Sequence, residues 1–156
     1  MRARGRAAIG AVLALALASQ LAGCGKSVPP AKQRGEVRST ISTFMRELAA
    51  ANGKVACEAL TAAGQGSLIQ TIGPELGNFG IETCPQVVQV TGFQLAAKVR
   101  RELASVTVGA VTLHGSTATV QWAAIQSPAG NVASFFGHPK AVQLADVHGF
   151  WAITSF

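Results

Sequence analysis

Tyrosine is absent from the 156 residues, and Asp146 is the single aspartate. Charged residues make up 13% of the chain and aromatic ones 6%. A basic stripe interleaved with aromatics is therefore missing, which removes nucleic acid as a partner. The three histidines, His114, His138 and His148, pair at neither i, i+2 nor i, i+4 spacing, so no metal site is indicated. No C-x-x-C spacing occurs to depress a thiol pKa, which argues against a redox dithiol. The nucleophile elbow G-x-S-x-G is missing too. Gly64-Gln65-Gly66-Ser67 lacks the closing glycine, and no lysine follows it to make a phosphate loop. No catalytic residue, metal or cofactor is assigned on these grounds.

What is present begins at the N-terminus. Arg2, Arg4 and Arg6 precede an apolar run, Ala7 to Ser19, and then Leu21-Ala22-Gly23-Cys24. A basic start, a short apolar core and small residues before a cut describe a secretory signal. The run falls short of the about 20 residues that span a membrane, and no later stretch is long enough either. The Leu-Ala-Gly-Cys string resembles the bacterial lipobox. That resemblance implies a signal peptide over 1–23 and a diacylglycerol on Cys24, the first residue of the mature chain. The lipid would anchor the chain to the membrane, with the domain on the extracytoplasmic face. In a bacterium with two membranes, the outer one is equally open. Without the three leader arginines, ten basic residues face seven acids, and the charge of +6 falls to +3.

Cys57 and Cys84 then remain as an even pair in an oxidising compartment, and the expectation is a disulfide. It would close a loop of 27 residues (84 minus 57), worth about 3.5 kcal/mol in the chain-entropy model. Two separate buried thiols are the alternative.

Residues 24–35, with Pro29-Pro30, read as a lipidated flexible tether, and residues 36–156 as one domain. From Glu36, the apolar residues Val37, Ile41, Phe44, Met45 and Leu48 recur at helical spacing up to an Asn52-Gly53 stop. A second helix is predicted over 54–63, broken by Gly64-Gln65-Gly66, with Ser67 capping a short turn that follows. A third begins at Pro85 and runs to about Leu103, with Gly92 in its middle and Lys98, Arg100 and Arg101 in its last turns. Those three cations could meet anionic lipid, but a solvated helix end is the favoured explanation. The period then becomes two. Val106–Leu113 and Thr117–Ile125 flank a His114-Gly115-Ser116 turn, and Ala141–Val147 and Phe150–Phe156 flank His148-Gly149. Helices first and an antiparallel meander second make an α+β domain.

This order resembles the nuclear transport factor 2-like superfamily and its SnoaL-like domains, more closely small bacterial lipoproteins that carry one. The residues behind the resemblance are Asn52-Gly53 leading to Cys57 and Leu60-Thr61, Cys84 opening the third helix, and the strand pair Val108–Val111 and Ala118–Val120 about the Gly115 turn. The ending Gly149-Phe150-Trp151-Ala152-Ile153 completes it. The resemblance implies three helices packed on a curved antiparallel sheet, a cone-shaped α+β barrel with a pocket between the layers. Phe44, Leu48, Val120, Trp122 and Trp151 are the candidates to line it, with Phe135, Phe136 and Phe150 as further aromatic candidates. Enzymes of the steroid-isomerase type use a tyrosine donor and buried aspartates, and this chain departs from that pattern. The expected function is therefore a non-catalytic binding module for a small apolar ligand or an envelope protein. A SnoaL-like enzyme using Asp146 or Glu82 as base, with His148 beside Asp146, is the second expectation; a purely structural envelope lipoprotein is the third.

Overall fold

A computed structural model describes residues 28–77, 80–128, 130–132, 136 and 140–156. The signal segment, Cys24, Phe135 and His138 lie outside the described residues. The architecture is α+β. Among the described residues five α-helices come first: α1 (Pro30–Ala49), α2 (Gly53–Glu58), α3 (Ala62–Ile72), α4 (Cys84–Gln94) and α5 (Ala97–Ala104). Seven short strands follow: β1 (Thr107–Val108), β2 (Thr112–His114), β3 (Thr117–Gln121), β4 (Ile125–Ser127), β5 (Gly130–Asn131), β6 (Ala141–Val147) and β7 (Phe150–Ser155). No described helix is long and apolar enough to cross a membrane.

The expected cone is not closed. The strands form two separate antiparallel sheets, β2-β3-β6-β7 and β1-β4-β5. Val106–Leu113, expected as one strand, is divided between them, because β1 pairs with β4 and β2 with β3. Thr117–Ile125 is divided as well, by a 3₁₀ turn over Trp122–Ala124. The larger sheet follows the alternation read from the sequence. Ala118, Val120, Val142, Leu144, Trp151 and Ile153 are buried, while Thr117, Gln121 and Gln143 face solvent.

Three helices become five for reasons that lie outside each helix. Helix α1 begins at Pro30, inside the expected tether, since proline fits the first helical turn where its missing N–H has no partner to lose. It buries Val37, Ile41, Phe44, Met45 and Leu48 and ends with Ala51, not Asn52 or Gly53, in the left-handed region (φ 57°). The second helix stops at Glu58 because the chain then joins the outer edge of β7. Ile153 N–H donates to the Ala59 carbonyl and Thr61 N–H donates to the Ile153 carbonyl, both at 2.9 Å. That contact covers an otherwise open strand edge. The third predicted helix is broken at Leu95 and Ala96, which are extended (ψ 130° and 146°). The break lets α4 lie on α2 while α5 lies along α1.

The glycines read as a break at 64–66 instead run through α3, whose N-cap is Thr61, its hydroxyl accepting from Gly64 N–H at 3.1 Å. Gly64 marks a close approach: a Cβ there would run into the Ile153 carbonyl oxygen, whereas one on Gly66 would meet nothing within 4 Å. Gly64→Ala is therefore expected to destabilise by about 1–3 kcal/mol through overpacking. Gly66→Ala is expected to stabilise by up to about 1 kcal/mol through helix propensity. Urea midpoints of the two variants check this; shifts of equal sign would show that the close approach does not select Gly64.

Candidate functional site

The expected disulfide is present, joining Cys57 in α2 to Cys84, the first residue of α4, with Cα atoms 6.1 Å apart. Both residues are buried. The start of α4 is held further by a capping box, in which Gln86 Oε1 accepts from the Thr83 backbone N–H at 3.1 Å. The disulfide is structural: it binds two helices side by side under the core.

The five pocket candidates are all core residues. Phe44, Leu48 and Val120 are inaccessible, and Trp122 and Trp151 nearly so. All five belong to one continuous hydrophobic core. Phe44 and Trp122 join a ring cluster with Phe136 and Phe156. Trp122 and Phe136 centroids lie 4.9 Å apart, Phe136 and Phe156 stack at 5.3 Å with planes 9° apart, and Phe44 meets Phe156 at 5.1 Å. Trp151 is held against α1, its carbonyl accepting from the Thr40 hydroxyl at 3.1 Å, and it reaches the surface groove beside Phe150. Phe156 was not singled out from the sequence. Its place at the end of an alternating strand was the one available signal, and its α1 partner could not be read from that.

Trp122 is 3% exposed, and its indole Nε1 is buried with no hydrogen-bond partner. The only other buried side-chain polar atom without a partner among the described residues is the Thr91 hydroxyl in α4. A buried donor left unpaired costs roughly 1–3 kcal/mol. Indole N–H groups placed inside proteins usually have an acceptor. The donor belongs to the ring cluster, so one unpaired polar atom is buried among apolar rings.

The acid–base candidates lie outside this interior. Asp146 is exposed, and its Oδ1 accepts the Gly149 backbone N–H at 2.7 Å. It braces the two-residue turn between β6 and β7, where His148 (φ 55°) and Gly149 (φ 88°) both take the positive φ that a hairpin of this length requires. Glu82 is exposed ahead of α4, His114 is exposed at the end of β2 rather than in the turn expected, and His148 is exposed in the β6–β7 turn. Ser67 lies inside α3 rather than capping a turn, and accepts from Phe156 N–H at 3.5 Å. No three histidine, cysteine, aspartate or glutamate residues gather into a metal-holding group among the described residues. In α5, Lys98 pairs with Glu102 at 3.9 Å on the exposed face.

A surface groove of about 360 Å³ runs between α1, α2 and β7, walled by Ser39, Thr43, Val55, Glu58 and Phe150. It meets a second depression of about 330 Å³ bounded by Glu36, Thr40 and Gly149. Both are open and of mixed polarity, unlike the enclosed apolar pocket expected. Compared with known proteins, the chain matches no family model, no curated protein and no solved structure.

Proposed function

We propose that the chain is a membrane-anchored, extracytoplasmic lipoprotein whose domain binds a small, mostly apolar ligand without chemically altering it. The observation that carries this reading is the unpaired Trp122 indole N–H inside the ring cluster of Phe44, Phe136 and Phe156. Stacked rings favour an apolar or unsaturated body, and one lone donor favours a ligand with one acceptor. The anchor rests on Leu21-Ala22-Gly23-Cys24 and the arginines before it. A SnoaL-like reaction requires a titratable group poised inside the site. Asp146 is engaged with its own turn, and Glu82 is exposed. The helix-first order with an antiparallel meander supports a relationship to the nuclear transport factor 2-like superfamily.

The test is a titration of the delipidated mature chain with fatty-acyl and polyketide-like probes, followed by tryptophan fluorescence. Saturable quenching is expected, and it should vanish in Trp122→Phe while Trp151 continues to emit. An acceptor-free hydrocarbon probe is expected to bind about five- to tenfold more weakly, the worth of one net hydrogen bond. If no probe saturates, or if Trp122→Phe retains the full response, the ring cluster is not the binding site.

A further inference from the structure

The groove between α1, α2 and β7 lies apart from the ring cluster and has a chemistry of its own. Its two depressions share Ser39, Thr40, Phe150 and Trp151, so they form one continuous trough. Along α1 it runs from Glu36 to Thr43, which is about 10 Å at helical rise. The larger depression holds about 360 Å³, within the range of small-molecule sites, about 300–1,000 Å³.

Phe150 rises from one wall, 78% exposed, with Val147 beside it across the β6–β7 pairing. Its direction follows from the strand: the next residue, Trp151, is buried, so Phe150 points outward. Ser39 and Glu58 are exposed and Thr43 is half-buried, so two hydroxyls and a carboxylate face the trough. Thr40 is engaged inside the protein, its hydroxyl 3.1 Å from both the Glu36 and the Trp151 carbonyls. Glu36 bounds the other depression and is paired with Lys32 at 3.7 Å. Asp146, at the base of the turn, is occupied by the Gly149 N–H. No lysine or arginine is among the described residues that line the two depressions.

Few ligand classes fit this lining. An anion would meet Glu58 with no base to hold it. A cation would find one exposed carboxylate, which contributes little in solvent. A peptide strand would need the free edge of β7, but Ala59 and Thr61 take Ile153, and Thr40 takes the Trp151 carbonyl. A hydrocarbon would cover hydroxyls without satisfying them. A ligand with an apolar face and hydroxyls around its edge meets every requirement, and a sugar ring is such a body. The C–H groups on its face are slightly positive and meet the negative face of an aromatic ring. Its hydroxyls donate to a carboxylate and exchange hydrogen bonds with other hydroxyls. We propose that the trough is a saccharide-binding site for uncharged oligosaccharides, in which Phe150 carries one sugar ring and Ser39, Thr43 and Glu58 bond its hydroxyls. The site is separate from the Trp122 cluster and does not depend on what that cluster binds.

The experiment presents the mature chain to an array of immobilised neutral, acidic and amino oligosaccharides, with extended peptides on the same surface. Retention on neutral saccharides is expected, with little on acidic ones. Phe150→Ala is expected to weaken it about five- to tenfold through loss of the aromatic contact, and Glu58→Ala about three- to tenfold through lost hydrogen bonds. Phe93→Ala removes a ring of similar exposure, 76%, from α4 and should leave retention unchanged. All three positions are exposed, so the variants keep the fold, and equal urea midpoints verify this. Trp122→Phe should hold saccharide at full strength, which separates this site from the ring cluster. Retention of no neutral saccharide, equal losses in Phe150→Ala and Phe93→Ala, or retention on peptides alone overturns the proposal.

Discussion

Cys24→Ala is expected to abolish palmitate incorporation and to remove the mature domain from the membrane fraction, the largest effect of any single substitution in this chain. In the proposed lipoprotein the Cys24 sulfur carries the lipid, and alanine has no such atom. The variant should accumulate as uncleaved precursor or appear as an unlipidated product. The fold should survive, because Cys24 precedes the first described helix by six residues. Radiolabelled palmitate with membrane fractionation reads the result. Label persisting in Cys24→Ala would place the lipid elsewhere and withdraw the lipoprotein reading. Two acyl chains give stable attachment where one is marginal. A mature wild type that washes off in low salt would also count against a diacylglycerol anchor.

Removing the Cys57–Cys84 bond is expected to lower stability by about 2–5 kcal/mol. The two residues are 27 apart, and the segment between them holds α3 and a 3₁₀ turn over Gly73–Leu76. A cross-link over such a segment removes many conformations from the unfolded chain, which is where most of its effect lies in the chain-entropy account. Both cysteines are buried between α2 and α4, so a volume-matched pair should fill the space. Cys57→Ala with Cys84→Val keeps nearly the same combined side-chain volume and so separates loss of the bond from loss of packing. Urea unfolding with and without reductant checks the expectation: wild type should lose stability on reduction, and the double variant should not respond. A wild-type midpoint unchanged by reductant would show that the bond contributes little.

The contrast between legible and illegible elements follows a physical line. Strand β6 has the bounds its alternation implies, and the β6–β7 hairpin turns at His148-Gly149, because both depend on residues adjacent in the chain. The buried stripe of α1 is likewise a local periodicity. The breaks at Ala59–Thr61 and Leu95–Ala96 have no local breaker. The first is made by the edge of β7, more than 90 residues on, and the second by the demands of packing α4 on α2 and α5 on α1. Gly64 and Gly92 illustrate the same ambiguity. A glycine in a helical pattern reads as a weakness, but here each lets a backbone come close: Ile153 to Gly64, and Leu48 and Ala51 to Gly92.

By itself, the sequence determined the α+β class, the two-residue period of the longer strands, the stripe on α1 and the pairing of the only two cysteines beyond Cys24. Each is set by the order of residue types along a few turns or strands, where 3.6- and 2-residue periods hold whatever the rest of the chain does. The tertiary structure alone decided that the strands divide into two sheets, that Phe156 joins Phe44, Phe136 and Trp122, and that the Trp122 indole N–H ends without an acceptor. It also brought Phe150 beside Glu36, 114 positions earlier (150 minus 36). Such neighbours arise when elements far apart in the chain bury their apolar faces together, and local periodicity carries no information about which faces will meet.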